Sequence, residues 1–284
     1  MSKAQPFFLA SPQGKGQRFC IFHPADGIQR GRVLHIHPFA EEMNKSRRMA
    51  ALQARAMAKI GFAVLQIDLF GCGDSSGDFG DASWQDWLDD LSAAAKWLAT
   101  QGDEPLWLWG HRAGCLLACE LLARIDEPTC NLLFWHPPAQ GRVLLQQFLR
   151  LKLANGLLDG GGGTTMEALK TQLSSVGHVE IAGYALSSEL AAGLEAASLN
   201  IPAQSRMRLT EAHCFEMSSQ PSLEPAPALA SALARWREQG LAIHHHPVTG
   251  PAFWQTSEIE DAPALLASTL ATLTARQAEE RSNL

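Results

Sequence analysis

The chain has 284 residues, long enough for one large or two small domains with a substantial buried core. Hydrophobic residues make up 46% and charged residues 18%, a globular composition that excludes disorder and fibrous repeats. Lys and Arg number 23 against 29 Asp and Glu, giving a net charge of −6 and excluding the broad positive field of a non-specific nucleic-acid binder.

No apolar run reaches the roughly 18 residues of a membrane span, and residues 1–10 lack a secretory hydrophobic region. The expectation is a cytoplasmic protein with reduced thiols and no transmembrane segment. Its cysteines, Cys20, Cys72, Cys115, Cys119, Cys130 and Cys214, contain no CxxC pair, which argues against a zinc ribbon.

In chain order, residues 18–22 (RFCIF) and 32–37 (RVLHIH) read as strands. A helix over 47–60 is closed by Gly61, and 62–68 (FAVLQID) is a buried strand. The Gly/Asp/Ser-rich stretch 70–80 is a loop, and Ser83 suits the N-cap of a helix over 84–100. Residues 106–109 (LWLW) form a strand that runs into Gly110-His111-Arg112-Ala113-Gly114 and then a helix to about Arg124. A strand follows at 131–135, stopped by Pro137-Pro138.

The rhythm then changes. Residues 141–158 read as a long amphipathic helix with Arg142, Arg150 and Lys152 near its polar side. The glycines at 160–163 mark a hinge, and short helical pieces surround a strand at 178–181. Alternation resumes with a strand over 206–217, a helix over 226–239, a strand over 241–248 and a terminal helix from Glu258 to about Gln277. Repeated β-then-α order predicts a mostly parallel sheet with helices on both faces. The interruption predicts a lid at 139–203 inserted into a core of residues 1–138 and 204–284.

The segment after strand 106–109 has the context of the G-x-S-x-G elbow, a tight strand-to-helix turn flanked by small residues. Gly110 and Gly114 meet that need, but Arg112 stands at the centre, and a guanidinium is no nucleophile. Three stretches carry a resemblance: His37-Pro38-Phe39-Ala40-Glu41-Glu42-Met43-Asn44-Lys45-Ser46-Arg47-Arg48, Gln66-Ile67-Asp68-Leu69-Phe70-Gly71-Cys72-Gly73-Asp74-Ser75-Ser76-Gly77-Asp78, and Leu106-Trp107-Leu108-Trp109-Gly110. With Phe253-Trp254 near the end, the chain resembles the α/β-hydrolase superfamily, and within it the hydrolase 2 family of the exosortase A system. The resemblance implies an α/β-hydrolase fold and a bacterial setting of PEP-CTERM sorting and polysaccharide export. It also implies an ester or thioester substrate.

Superfamily order places an acid and then a His after the nucleophile. Only Glu224 is available in the loop 218–224, and no His occurs over 248–254. His244, His245 and His246 fall too early, inside a strand. Two losses argue against Ser–His–Asp hydrolysis. What remains is a set of candidates. Backbone N–H groups of Phe39 and Ala113 would form an oxyanion hole. Arg112 is either an anion clamp at a helix N-terminus or an internal ion pair with Asp68, Asp74, Glu41 or Glu42. Glu41 would be a general base on water with His37 beside it, or a carboxylate serving the helix dipole. Cys72 would be an alternative nucleophile or an inert buried thiol.

The pairs His35/His37 and His244/His246 share strand faces, but the sequence shows no third ligand, so no metal and no cofactor is expected. Two functions compete: hydrolysis with a displaced catalytic set, or a pseudo-hydrolase that binds a small anionic or carrier-bound acyl ligand. The basic helix 141–158 suits a carrier-protein partner or a membrane surface, or is an amphipathic lid with its apolar face on the pocket; the family resemblance adds an exosortase-locus protein as a partner.

Overall fold

The computed structural model describes residues 3–158, 165–220 and 224–282. The glycines at 160–163 lie outside the described residues. Eight strands form one sheet: β1 (Gln5–Ala10), β2 (Gln17–His23), β3 (Gly31–Ile36), β4 (Phe62–Ile67), β5 (Leu106–His111), β6 (Cys130–Trp135), β9 (Leu209–Ser218) and β10 (Ala242–Thr249), in spatial order β1-β2-β4-β3-β5-β6-β9-β10. The pairs β1/β2 and β2/β4 are antiparallel, and the rest of the sheet is parallel.

Alternation along the strands sorts side chains between two layers. Leu34, Ile36, Leu108, Leu132, Phe134 and Cys214 face a core shared with α2 (Trp84–Ala99), α3 (Ala113–Leu121) and α7 (Pro227–Glu238). Val33, Trp107, Trp109, Leu133, Trp135 and Phe215 face the other way, against α1 (Glu41–Lys59) and α8 (Pro263–Ser282). Burial on both faces explains why the central strands read as continuous apolar runs.

Local signals account for most boundaries. Ser83 caps α2 by accepting the Asp86 N–H, and Asp86 returns the bond to the Ser83 N–H. The first helix departs from expectation by starting at Glu41 instead of residue 47. Its N-cap, Ala40, has φ 48° and offers no side-chain cap, so no N-cap residue marked the start. Glu41 and Glu42 favour the positive end of the helix instead. The edge strand β1 carries no strand signal in sequence, since Pro6 and the Phe7-Phe8-Leu9 run lack the alternation of a half-buried strand.

Between β6 and β9 the chain forms α4 (Gly141–Leu158), α5 (Met166–Val176), a hairpin of β7 (His178–Ile181) and β8 (Tyr184–Ser187), and α6 (Ser188–Ala196). The hairpin is a separate two-stranded sheet. Its turn uses Ala182 and Gly183 at φ 49° and 83°, and an alanine there disguises a turn normally marked by Asn-Gly. This segment packs on the sheet's helices closely enough that a Cβ on Gly193 would lie 2.1 Å from Trp84 Cβ.

Gly114 is the tightest point of the elbow. A Cβ there would sit 2.1 Å from the Ile36 carbonyl oxygen and 3.0 Å from that of His37. Both contacts are backbone and cannot swing aside. Gly114→Ala should therefore lower stability by about 1–3 kcal/mol, read as a lower urea midpoint at an unchanged m-value.

Candidate active site

Strand β5 ends at His111, and α3 begins at Ala113, so Arg112 is the single residue that turns the chain. Its backbone sits at φ 53°, ψ −113°, a strained conformation of the kind used to present an elbow residue. Its N–H donates to the Trp135 carbonyl at 3.0 Å, and its carbonyl accepts the Cys115 N–H at 3.0 Å. Gly110 is required because its Cβ would lie 2.6 Å from Cys115 Cα. The turn is a complete elbow holding a guanidinium.

That guanidinium is 4% exposed and already partnered. Nη2 donates to Glu42 Oε1 at 2.9 Å and to Gln147 Oε1 at 2.8 Å, and Nε donates to Glu42 Oε1 at 3.2 Å. The guanidinium carbon stands 5.5 Å from the centre of the Trp254 ring. Of the partners open from sequence, Glu42 takes the role. Asp68 instead accepts from Arg47 Nη2 at 2.9 Å and from the Asp74 N–H at 3.1 Å. Burial raises the Glu42 pKa, with Arg112 opposing that shift.

Over residues 248–254, which hold no His, the chain packs rings. Phe253 and Trp254 are 0% and 2% exposed. Their ring centres lie 5.3 and 5.4 Å from His111, and the His136 ring lies 4.7 Å from that of Trp254, tilted by 40°. His136 Nδ1 accepts the Met217 N–H at 3.1 Å, so the sp² nitrogen is spent on the backbone. Burial, with Arg112 next in effect, lowers the His136 pKa to about 4, and His111 is held well below its ordinary value by burial first. Sequence reasoning missed His111 and His136. The elbow pattern treats the position before its centre as variable, and only the fold brings 136 to Trp254.

The other candidates separate. A cleft of about 320 Å³ adjoins the Arg112 ion pair, lined by its partners Glu42 and Gln147 and by Phe39, Glu41, Lys45, Phe148 and Gln255 among others. Glu41 Oε2 is buried there without a hydrogen bond, and desolvation raises the Glu41 pKa. His37 is not beside Glu41 in this cleft. It lines a second cavity of about 170 Å³ with His35, Ser46, Arg47 and Asp68. Both its nitrogens are occupied: Nδ1–H donates to the Pro38 carbonyl at 2.8 Å, and Nε2 accepts the Leu69 N–H at 3.4 Å.

Cys72 lies in the core, and burial pushes its thiol far above the ordinary range, the opposite of activation. All six cysteines are buried and free. Ser75 Oγ donates to the Asp68 carbonyl at 2.5 Å and accepts the Phe19 N–H at 2.8 Å, so it serves the loop. Phe39 packs edge-on to Phe79, Trp87 and Phe148, and its loop passes over Gly114 beside Ala113. Glu224 is exposed, and residues 221–223 before it lie outside the described residues. Among the described residues no helix is long and apolar enough to cross a membrane.

Two outcomes follow. Arg112→Ala leaves Glu42 buried without its cation and should cost about 3–5 kcal/mol. The double change Arg112→Met with Glu42→Leu should recover most of that loss in urea denaturation. Burial lowers the His35 pKa to about 3. The unfolded chain takes up that proton near 6.5, so His35 contributes stability above pH 6.5 that is lost as pH falls toward 3. His35→Asn should flatten stability against pH in that window by up to about 1.4 kcal/mol per pH unit.

Comparison with known proteins agrees with this geometry. Residues 27–159 match the sequence family described as serine aminopeptidase, S33, a stretch that runs from before β3 to the end of α4. The lysophosphatidylserine lipase ABHD12 of Gallus gallus is 28% identical over 116 residues, which are 40% of this chain but only 29% of the relative. The chain thus aligns with less than a third of that relative's length. Among solved structures, a thermostable carboxyl esterase from Bacillus coagulans superposes with a TM-score of 0.63 at 14% identity, covering 97% of this chain and 99% of the esterase. Est1E from Butyrivibrio proteoclasticus, solved with ferulic acid, gives 0.62 at 14% identity, covering 96% and 99%. The sheet order, the glycine-flanked elbow and these structural matches give the chain an α/β-hydrolase fold.

Proposed function

We propose that this chain is a pseudo-hydrolase, which binds a small or carrier-bound acyl ligand in the cleft beside the Arg112 ion pair and does not hydrolyse it through a Ser–His–Asp triad. The observation that carries the reading is the Arg112–Glu42 pair, 2.9 Å long and buried where nucleophile and substrate would meet. The pair supplies its own counter-charge, so Arg112 is a strut and not the anion clamp. An anionic head would meet Lys45 and Arg150, which line the same cleft, and the apolar body would lie on Phe39, Leu144, Phe148 and Leu151. In this reading 139–203 is a lid: Gln147 bonds the elbow arginine, Phe148 lies 5.3 Å from Phe39, and Tyr184 Oη accepts from Asn44 Nδ2 at 3.1 Å. The Phe39 and Ala113 N–H groups belong to the same proposal, as donors to the ligand's carbonyl. The motifs at 37–48 and 66–78 support the exosortase A setting, in the cytoplasm and with a carrier or exosortase-locus partner.

One observation favours a second reading. Glu41 lines the cleft and keeps one carboxylate oxygen buried and unpartnered, with its pKa raised. A carboxylate in that state suits a general base on water, giving ester or thioester hydrolysis by a displaced catalytic set.

The two readings part on turnover. The pseudo-hydrolase should show no covalent labelling by a fluorophosphonate probe and no release of p-nitrophenol from short acyl esters. Arg112→Ser should stay unlabelled as well, because no His occurs over 248–254 to act as the base of the triad, and a base contributes about 10²–10⁴-fold. Stoichiometric labelling of any serine overturns the proposal. Ester turnover that Glu41→Gln abolishes establishes the second reading in its place.

A further inference from the structure

Strand β10 is the edge of the main sheet, and β9 is its one neighbour there. Their parallel register sets His244 directly beside His213 and His246 beside Phe215. Residues two apart on a strand share a face. Glu211 and His213 of β9 therefore meet His244 and His246 of β10 on one side of the sheet. In the sequence the HxH pair lacked a third donor. The register supplies two, from a strand some thirty residues earlier.

His213 is the fixed member of this group. It is 6% exposed, and its ring is stacked between Trp107, at 6.0 Å, and His244, at 4.7 Å. Nδ1 lies 3.0 Å from His246 Nε2. Nε2 is buried and makes no hydrogen bond, although a Glu211 carboxylate oxygen stands 3.1 Å away. This contact brings two metal-ligating atoms, a buried imidazole nitrogen and a carboxylate oxygen, to one point. One donor atom from each of Glu211, His213 and His244 falls within 4.8 Å of the others.

We propose that Glu211, His213 and His244 bind one divalent cation of the zinc class, bridging the edge strand to β9. Two imidazoles and a carboxylate are a donor set that zinc accepts at about 2.0–2.2 Å, leaving the next position to water. Such bonds place tetrahedral donors about 3.4 Å apart, so the three must close by roughly 1 Å. His213 is held by its stacking. His244 is exposed and Glu211 half-buried, so rotation of those two side chains supplies the movement. With the metal on Nε2, the His213 Nδ1–H donates to His246, the outer hydrogen bond that orients a metal-bound imidazole. His245 belongs to the opposite face and is held by Glu216 at 3.0 Å. The bound ion would replace part of the pairing that an edge strand lacks, and binding only the folded chain it would raise the melting temperature.

The test uses the untagged full chain, stripped with a chelator and titrated with Zn²⁺ or Co²⁺ alone. The expected result is one ion per chain, a visible ligand-field band with Co²⁺ and a Zn²⁺-dependent rise in melting temperature. His244→Gln and Glu211→Gln should each weaken Zn²⁺ at least tenfold while leaving the metal-free melting temperature close to that of the wild type. His246→Phe should weaken it about 10–100-fold. Because His213 variants disturb the core, the exposed His244 carries the decision. No stoichiometric ion, or equal affinity in wild type, His244→Gln and Glu211→Gln, overturns the site.

Discussion

The structure around the elbow depends on one buried ion pair. Arg112 and Glu42 come from segments seventy residues apart, and each would be ruinously placed without the other. The pair joins the strand-to-helix turn after β5 to the first turn of α1. Gln147 of α4 completes the coordination, so one guanidinium ties together the elbow, the helix beside it and the segment above. Its stacking on Trp254 adds the chain's C-terminal quarter to the same point. A serine hydroxyl could not replace these contacts, nor an arginine the nucleophile.

Backbone and side chains have thus diverged in what they preserve. The backbone keeps the strained φ at residue 112, the glycines at 110 and 114 and the close passage of the 37–40 loop. Those features follow from sheet geometry and do not depend on the side chain at 112. The space around Arg112 is packed with His111, His136, Phe253 and Trp254, whose packing disfavours protonated imidazoles. Fold-level likeness to an esterase at 14% identity therefore speaks to the frame and not to its contents.

The parallel register has a comparable reach at the other side of the sheet. Pairing β9 with β10 gathers imidazoles that the sequence scatters over 213–246 and lays them in a stack, with rings of His213 and His244 at 4.7 Å. The Trp107 and Phe215 rings hold that stack from below and beside it, by apolar contact that leaves ring nitrogens to polar partners.

What the sequence determined by itself was local. Apolar runs over residues 62–68 and 131–135 define buried strands, Ser83 defines a helix start, and Gly110 and Gly114 around Arg112 define an elbow without a nucleophile. These are short-range consequences of side-chain period, capping and steric room. Only tertiary structure decided which acidic residue meets Arg112, that His37 and Glu41 line different cavities, and that His213 stands beside His244. Glu41 and Glu42 are adjacent in sequence and alike in chemistry. The 100° step between neighbours on a helix brings Glu42 to the guanidinium and leaves Glu41 off it, although both line the cleft. Ion-pair choice and strand register are contacts between distant segments, and their energies are set by burial, which no local pattern encodes.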